Sequence, residues 1–144
     1  MLGPAGKIAG IYDRVQAWAS KPRGNGVTPI EQDDVKRALG EIHSIWRVNE
    51  LFNWQVASSG ETVEVADAAA TKVFSTERIQ RIGRLAEEIV AKYGNPAEEE
   101  TAEMLRWLDS HTKRNLVITF GGGVNEVMRE QVAAAGLKVP RVPR

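Results

Sequence analysis

Residues 27–60 read VTPIEQDDVKRALGEIHSIWRVNELFNWQVASSG, and this stretch decides the fold class. Thr28 followed by Pro29 and, three after the threonine, Glu31 has the form of a capping box with proline in its favoured place at the first helical position. Val35, Leu39, Ile42, Ile45, Trp46, Phe52 and Val56 then recur at helical spacing, which gives a long helix with one apolar stripe. Gly60 stops it. A helix of this length with one apolar face has to bury that face against other elements, and the flanking segments have to supply them.

Upstream, Ile8, Ile11, Tyr12, Val15, Trp18 and Ala19 share a face of a helix expected over 3–20, and KPRGNGVTP breaks it. Downstream, a second long helix is expected over 63–93. Its inner face is Val65, Ala66, Ala69, Val73, Phe74, Ile82, Leu85, Ala86, Ile89 and Val90, and Gly94 and Pro96 mark its end. AEEETAEMLRWLDSHTKRN (97–115) opens acidic and closes basic, the polarity that suits a helix dipole, and carries Met104, Leu105, Trp107 and Leu108. LVITF is β-branched but has no partner strand. The expected fold is all-α: an antiparallel, up-down four-helix-bundle-like domain over 1–144, with a short extra helix near the C-terminus and an extended tail at 137–144.

Composition narrows the function classes. The chain has 144 residues, enough for one domain. It has no cysteine, so disulfides and thiolate metal sites are excluded. Nineteen Lys plus Arg balance nineteen Asp plus Glu, which removes the electrostatic case for a nucleic-acid partner. No apolar run reaches the length of a membrane span and MLGPAGKIAG lacks the form of a secretory signal, so a cytoplasmic protein is expected.

Few residues suggest chemistry. His43 and His111 have no neighbouring carboxylate or histidine at metal-ligand spacing, so no metal site is expected. Ser20, Ser58, Ser59 and Ser75 lack a nucleophile context. Glu98, Glu99 and Glu100 read as a solvated first helical turn, and Trp18, Trp46, Trp54 and Trp107 as packing or interface. Asn49 and Asn53, four apart, share a face and either orient a neighbour or satisfy a backbone group. The exception is ITFGGGVNEVMRE (118–130). Three glycines forbid a helix there, and a new one restarts at once with Val124, Val127, Met128 and Val132 near one face and Gly136 as its C′ residue. A helix start beside open backbone, with polar Asn125 and Glu126, is either a binding corner or a plain turn.

FGGGVNEVMRE followed by AAAGLKVPR resembles the closing motif of acyl-CoA dehydrogenases, commonly G-G-T-S/N-E-I-Q-R before a final helix and an L-G-L-P-R tail. DDVKRALGEIHSIWRVNEL and ADAAATKVFSTERIQRIGRLAEEIV resemble the second and third helices of that family's C-terminal domain, the third usually read as S-x-A-K-L-F-x-S-E. The resemblance implies a bundle that helps bind FAD and build a dimer or tetramer. It also implies an enzyme that desaturates an acyl-CoA thioester at the α and β carbons and passes electrons to an electron-transfer flavoprotein. Only the C-terminal part of such an enzyme is matched, so this chain is expected to be an isolated or truncated domain, inactive alone. It would self-associate or join a homologous catalytic subunit; the alternative is a scaffold subunit without flavin.

The resemblance assigns the cofactor face to Gly122, Gly123, Val124, Asn125 and Glu126. Gly123 matches the motif glycine, Val124 stands where Thr is usual, Asn125 matches the Ser or Asn, Glu126 the Glu or Gln, and Arg129 the closing Arg. In one branch of the family the catalytic Glu immediately precedes the motif's Gly-Thr, and that place is Gly122 here. In another branch the base precedes a G-P-x-G matching Gly3 and Pro4, which puts it before Met1. No residue of this chain is therefore assigned as catalytic.

Overall fold

Among the described residues the amphipathic stretches fold as five α-helices: α1 (Pro4–Ala19), α2 (Asp33–Ser58), α3 (Val65–Tyr93), α4 (Glu99–Leu116) and α5 (Asn125–Gln131). They belong to a computed structural model that describes residues 4–60 and 63–140. No strand occurs among the described residues, and LVITF forms the end of α4 and a 3₁₀ turn at Val117–Thr119. The expected start at Gly3 and the last four residues of the tail lie outside the described residues.

Cross-helix pairs fix the topology. From α2 to α3 they run Asp34 to Lys92, Glu41 to Arg81 and Asn49 to Ser75, so one helix descends as the other rises. Between α3 and α4 the same order holds, with Gly83 against Thr112 and Gln80 bonded to the Asn115 carbonyl. α3 has 29 residues, about 43 Å at 1.5 Å per residue, and packs against each of the other four helices. The core forms around it from Ile8, Ile11, Val15 and Trp18 of α1, Val35, Leu39, Ile42 and Ile45 of α2, Ile79, Ile82, Leu85, Ala86, Ile89 and Val90 of α3, and Leu108 of α4. This is the expected all-α, antiparallel bundle with a short helix added at its C-terminal end.

Several local expectations differ. The capping box does not form: Pro29–Glu31 is a 3₁₀ turn, Thr28 makes no side-chain cap bond, and α2 starts at Asp33 after Gln32. The proline geometry wins over the cap because Gln32 N–H closes back onto the Pro29 carbonyl at 3.0 Å. Val65 is exposed at the first turn of α3, whereas Ile79, absent from the expected face, is fully buried. Val124 and Val127 are also exposed, because α5 lies against α3 through Asn125. Gly136 falls inside a π turn (Val132–Gly136), and the left-handed residue after it is Lys138, at φ 58°. Glu100 is not simply solvated: it pairs with Lys21 at 2.7 Å and with Arg23 at 3.2 Å, tying the first turn of α4 to the loop after α1.

At the lower end of the α2–α3 seam, Asp34 accepts from Lys92 Nζ at 2.6 Å and from the Tyr93 hydroxyl at 2.7 Å. The Lys92 bond, then the Tyr93 bond, bring its carboxyl down to about 2 from 3.8. A depressed acid stabilises the fold above its unfolded pKa and ceases to do so as pH falls through the folded value. Lys92→Met is therefore expected to move the Asp34 titration midpoint, followed by NMR, back up toward 3.8. An unmoved midpoint would show that the pair does not form in solution.

Candidate functional site

The glycine turn joins α4 to α5 and is built by backbone conformations that other residues resist. Gly122 and Gly123 adopt φ +71° and +109°, in the region where an L side chain crowds its own backbone; Gly121 does not. A Cβ on Gly122 would meet nothing within 4 Å, so the turn there faces open space. At Gly123 a Cβ would come 2.6 Å from Met128 Cε. Gly121 and Gly122 are exposed, and Phe120 and Val117 beside them are 68% and 67% exposed. Val124 then takes the N-cap position of α5 in extended conformation, without a side-chain cap bond.

Asn125 turns inward and is only 3% exposed. Its amide nitrogen donates to Thr76 Oγ1 at 3.0 Å and to Glu77 Oε1 at 3.2 Å, while its amide oxygen accepts from Lys72 Nζ at 3.2 Å. The same ammonium donates to the Gly123 carbonyl. Thr76 in turn donates its hydroxyl hydrogen to the Lys72 carbonyl at 2.9 Å, which leaves its lone pair for Asn125. Arg129 closes the group through an ion pair with Glu77. Of the five residues assigned to the cofactor face, Gly122, Val124 and Glu126 are therefore exposed, Gly123 lies half-buried under Lys72, and the Asn125 side chain is committed to α3.

Sequence reasoning left out Lys72, Thr76 and Glu77, which supply the α3 side of this junction. The available signal was ATKVFSTE, where a lysine and a threonine one helical turn apart interrupt an Ala- and Val-rich face. The other candidates stay apart from the turn. His43 is exposed beside Tyr12 and Trp46, and His111 stacks on Trp107 with Nδ1 3.0 Å from its carbonyl oxygen. Asn49 is fully buried and donates to Ser75 Oγ at 2.7 Å, and Asn53 donates to the Asn49 carbonyl at 2.9 Å. No group of three or more His, Cys, Asp or Glu suited to a metal ion occurs among the described residues. Among them, too, no helix is long and apolar enough to cross a membrane.

An up-down helical bundle whose last helix is entered through a left-handed glycine turn defines the class of domain. The chain belongs to the acyl-CoA dehydrogenase family: residues 1–137 match the family described as acyl-CoA dehydrogenase, C-terminal domain. Over all 144 residues it is 80% identical to acyl-CoA dehydrogenase FadE29 of Mycobacterium tuberculosis, and it is 32% identical to FadE26 of the same organism. It spans 37% and 38% of the length of these two curated relatives. Among solved structures, the ChsE4-ChsE5 complex from Mycobacterium tuberculosis superposes with a TM-score of 0.83 at 30% identity, over 96% of this chain and 37% of that one. The Tcur3481-Tcur3483 steroid ACAD does so with a TM-score of 0.79 at 30% identity, over 96% and 35%.

Proposed function

We propose that the chain supplies the C-terminal domain of an FAD-dependent acyl-CoA dehydrogenase, with the backbone from Gly122 to Val124 and the exposed Glu126 lying against the cofactor. The observation that carries this reading is the open, left-handed turn at Gly122, held against α3 in a domain of this family. The turn leaves its backbone open to a flat cofactor: nothing lies within 4 Å of a Cβ placed on Gly122. Contact through the Asn125 amide is not part of the proposal, because both of its ends are bonded within the domain. FAD, when bound, would supply the acceptor for the substrate's β hydride. This chain would orient the cofactor and help exclude water from it, and Gly122, at the place of the catalytic Glu in one branch of the family, has no side chain to accept a proton.

The match to the Tcur3481-Tcur3483 steroid ACAD supports a substrate in the acyl-CoA class that includes steroid side-chain thioesters as well as fatty ones. The match to two-component complexes supports work beside a homologous subunit. The cytoplasmic location and the electron-transfer flavoprotein as redox partner rest in this proposal on membership of the family alone.

The test joins this chain to the preceding regions of its 80%-identical relative and follows bound flavin by visible absorbance and equilibrium titration. Gly122→Val, which both adds a side chain to the open face and strains the backbone at φ +71°, is expected to raise the FAD dissociation constant at least about tenfold, equivalent to about 1.4 kcal/mol, with unchanged far-UV circular dichroism. An unchanged constant would remove the turn from the cofactor face. A second reading, an assembly module without flavin, draws on the exposed Leu116, Val117 and Phe120 beside the turn. It predicts a colourless but still oligomeric product in the same experiment.

A further inference from the structure

We propose that Lys72 is the positioning residue of the glycine turn: its ammonium holds the Gly123 carbonyl and the Asn125 amide oxygen together and so sets the backbone that Gly122 presents. The functional meaning of this clamp rests on the cofactor reading above; its structural content does not.

The partners around Asn125 set the orientation of its amide. The Glu77 carboxylate accepts from the amide nitrogen at 3.2 Å, and the Thr76 hydroxyl, nearer the Lys72 carbonyl (2.9 Å) than the Asn125 amide oxygen (3.3 Å), donates to that carbonyl and accepts the same nitrogen at 3.0 Å. The amide oxygen is thereby turned toward Lys72, which can only donate. Because Lys72 and Thr76 are one turn apart on α3, they take the two ends of one side chain and fix its rotation as well as its place. The bond from Lys72 to the Gly123 carbonyl then carries that fixed point back into the loop. A turn with two glycines at positive φ has no side chains to restrict it, and Lys72 supplies the restriction from another helix, 51 residues away in sequence.

The neighbouring ion pair does not explain the ordering. Arg129 and Glu77 have side chains 53% and 41% exposed, where such pairs contribute little. Lys72 is half-buried, and its acceptors are a backbone carbonyl and a nearly buried amide, where a charged donor matters more. Methionine is unbranched like the lysine stem and of similar volume, but has no donor.

The experiment compares Lys72→Met with the unaltered 144-residue chain by hydrogen–deuterium exchange. It reads the amides of residues 128–131, which close the first turns of α5, with the buried stretch 79–90 of α3 as the reference for folding. If Lys72 clamps the turn, exchange at 128–131 accelerates at least about tenfold while 79–90 keeps its protection, because a lost charged hydrogen bond acts on the local opening equilibrium. Equal exchange at 128–131, or an equal acceleration at both stretches, overturns the proposal. The same substitution in the fusion with the 80%-identical relative separates it from the cofactor reading. Faster exchange with weaker FAD binding supports both, whereas faster exchange with unchanged FAD binding supports the clamp and sinks the cofactor role of the turn.

Discussion

Trp18→Ala is expected to cost the fold about 3–5 kcal/mol, the range for removing a large aromatic from a packed interior. Trp18 is 2% exposed at the last turn of α1, where three segments meet. Its ring edge approaches Gly94 at the end of α3, its face carries the Arg23 guanidinium at 4.2 Å from the ring centre, and its carbonyl accepts from the same guanidinium. Removing the indole empties this corner and leaves Arg23, itself 6% exposed, without its stacking surface. The indole Nε1 has no hydrogen-bond partner among the described residues, so Trp18→Phe sacrifices no polar contact and should cost much less. Urea unfolding followed by circular dichroism checks the order. An alanine variant within about 1 kcal/mol of the unaltered chain would mean that this corner is not part of the cooperative core.

Gly94→Ala should destabilise by about 1–3 kcal/mol, the usual cost of forcing an extra carbon into a filled space. A Cβ at Gly94 would stand 2.5 Å from Thr101 Cγ2, 2.7 Å from the Val90 carbonyl oxygen and 2.9 Å from Trp18 Cζ2. The Val90 oxygen cannot withdraw freely, because it accepts the Gly94 N–H at 2.9 Å and closes the end of α3. The backbone at Gly94, φ −92° and ψ 157°, is open to any residue, so the penalty is one of room and not of conformation. Gly60→Ala makes the opposite control: its φ is +59° and nothing lies within 4 Å of the added carbon, which leaves only a backbone cost near 1 kcal/mol. Thermal unfolding of the two variants should place Gly94→Ala lower, and a reversed order would refute the packing account of the α3–α4 corner.

These two glycines also show what could be read from the chain alone. Both were legible as helix stops, since each follows a long periodic segment. Only the folded arrangement separates the one that turns left-handed from the one that makes space for Trp18 and Thr101, because that difference depends on residues 76 positions apart from Gly94 on one side and 7 on the other. The stripes of α1 and of the first half of α2 were readable because period 3.6 is local. The 3₁₀ turn at Pro29–Glu31 was not, because a cap competes with a backbone closure whose outcome no motif encodes. At the candidate site the break, its glycines and its family resemblance were all in the sequence. The inward rotation of Asn125 was not, for it is dictated by Lys72 and Thr76 on a helix that meets α5 only after folding.

The buried bond from Asn49 to Ser75 acts as an index mark between the two longest helices. Apolar stripes alone would let α2 and α3 slide past each other by one turn, about 5.4 Å, and still mate leucine with isoleucine. Such a slip would strand the Asn49 amide nitrogen in a dry interior, while the Ser75 hydroxyl keeps its bond to the Thr71 carbonyl, so the sequence favours a single vertical alignment of the pair. Because α3 also bears Lys72, that alignment decides the height at which the glycine loop is hung.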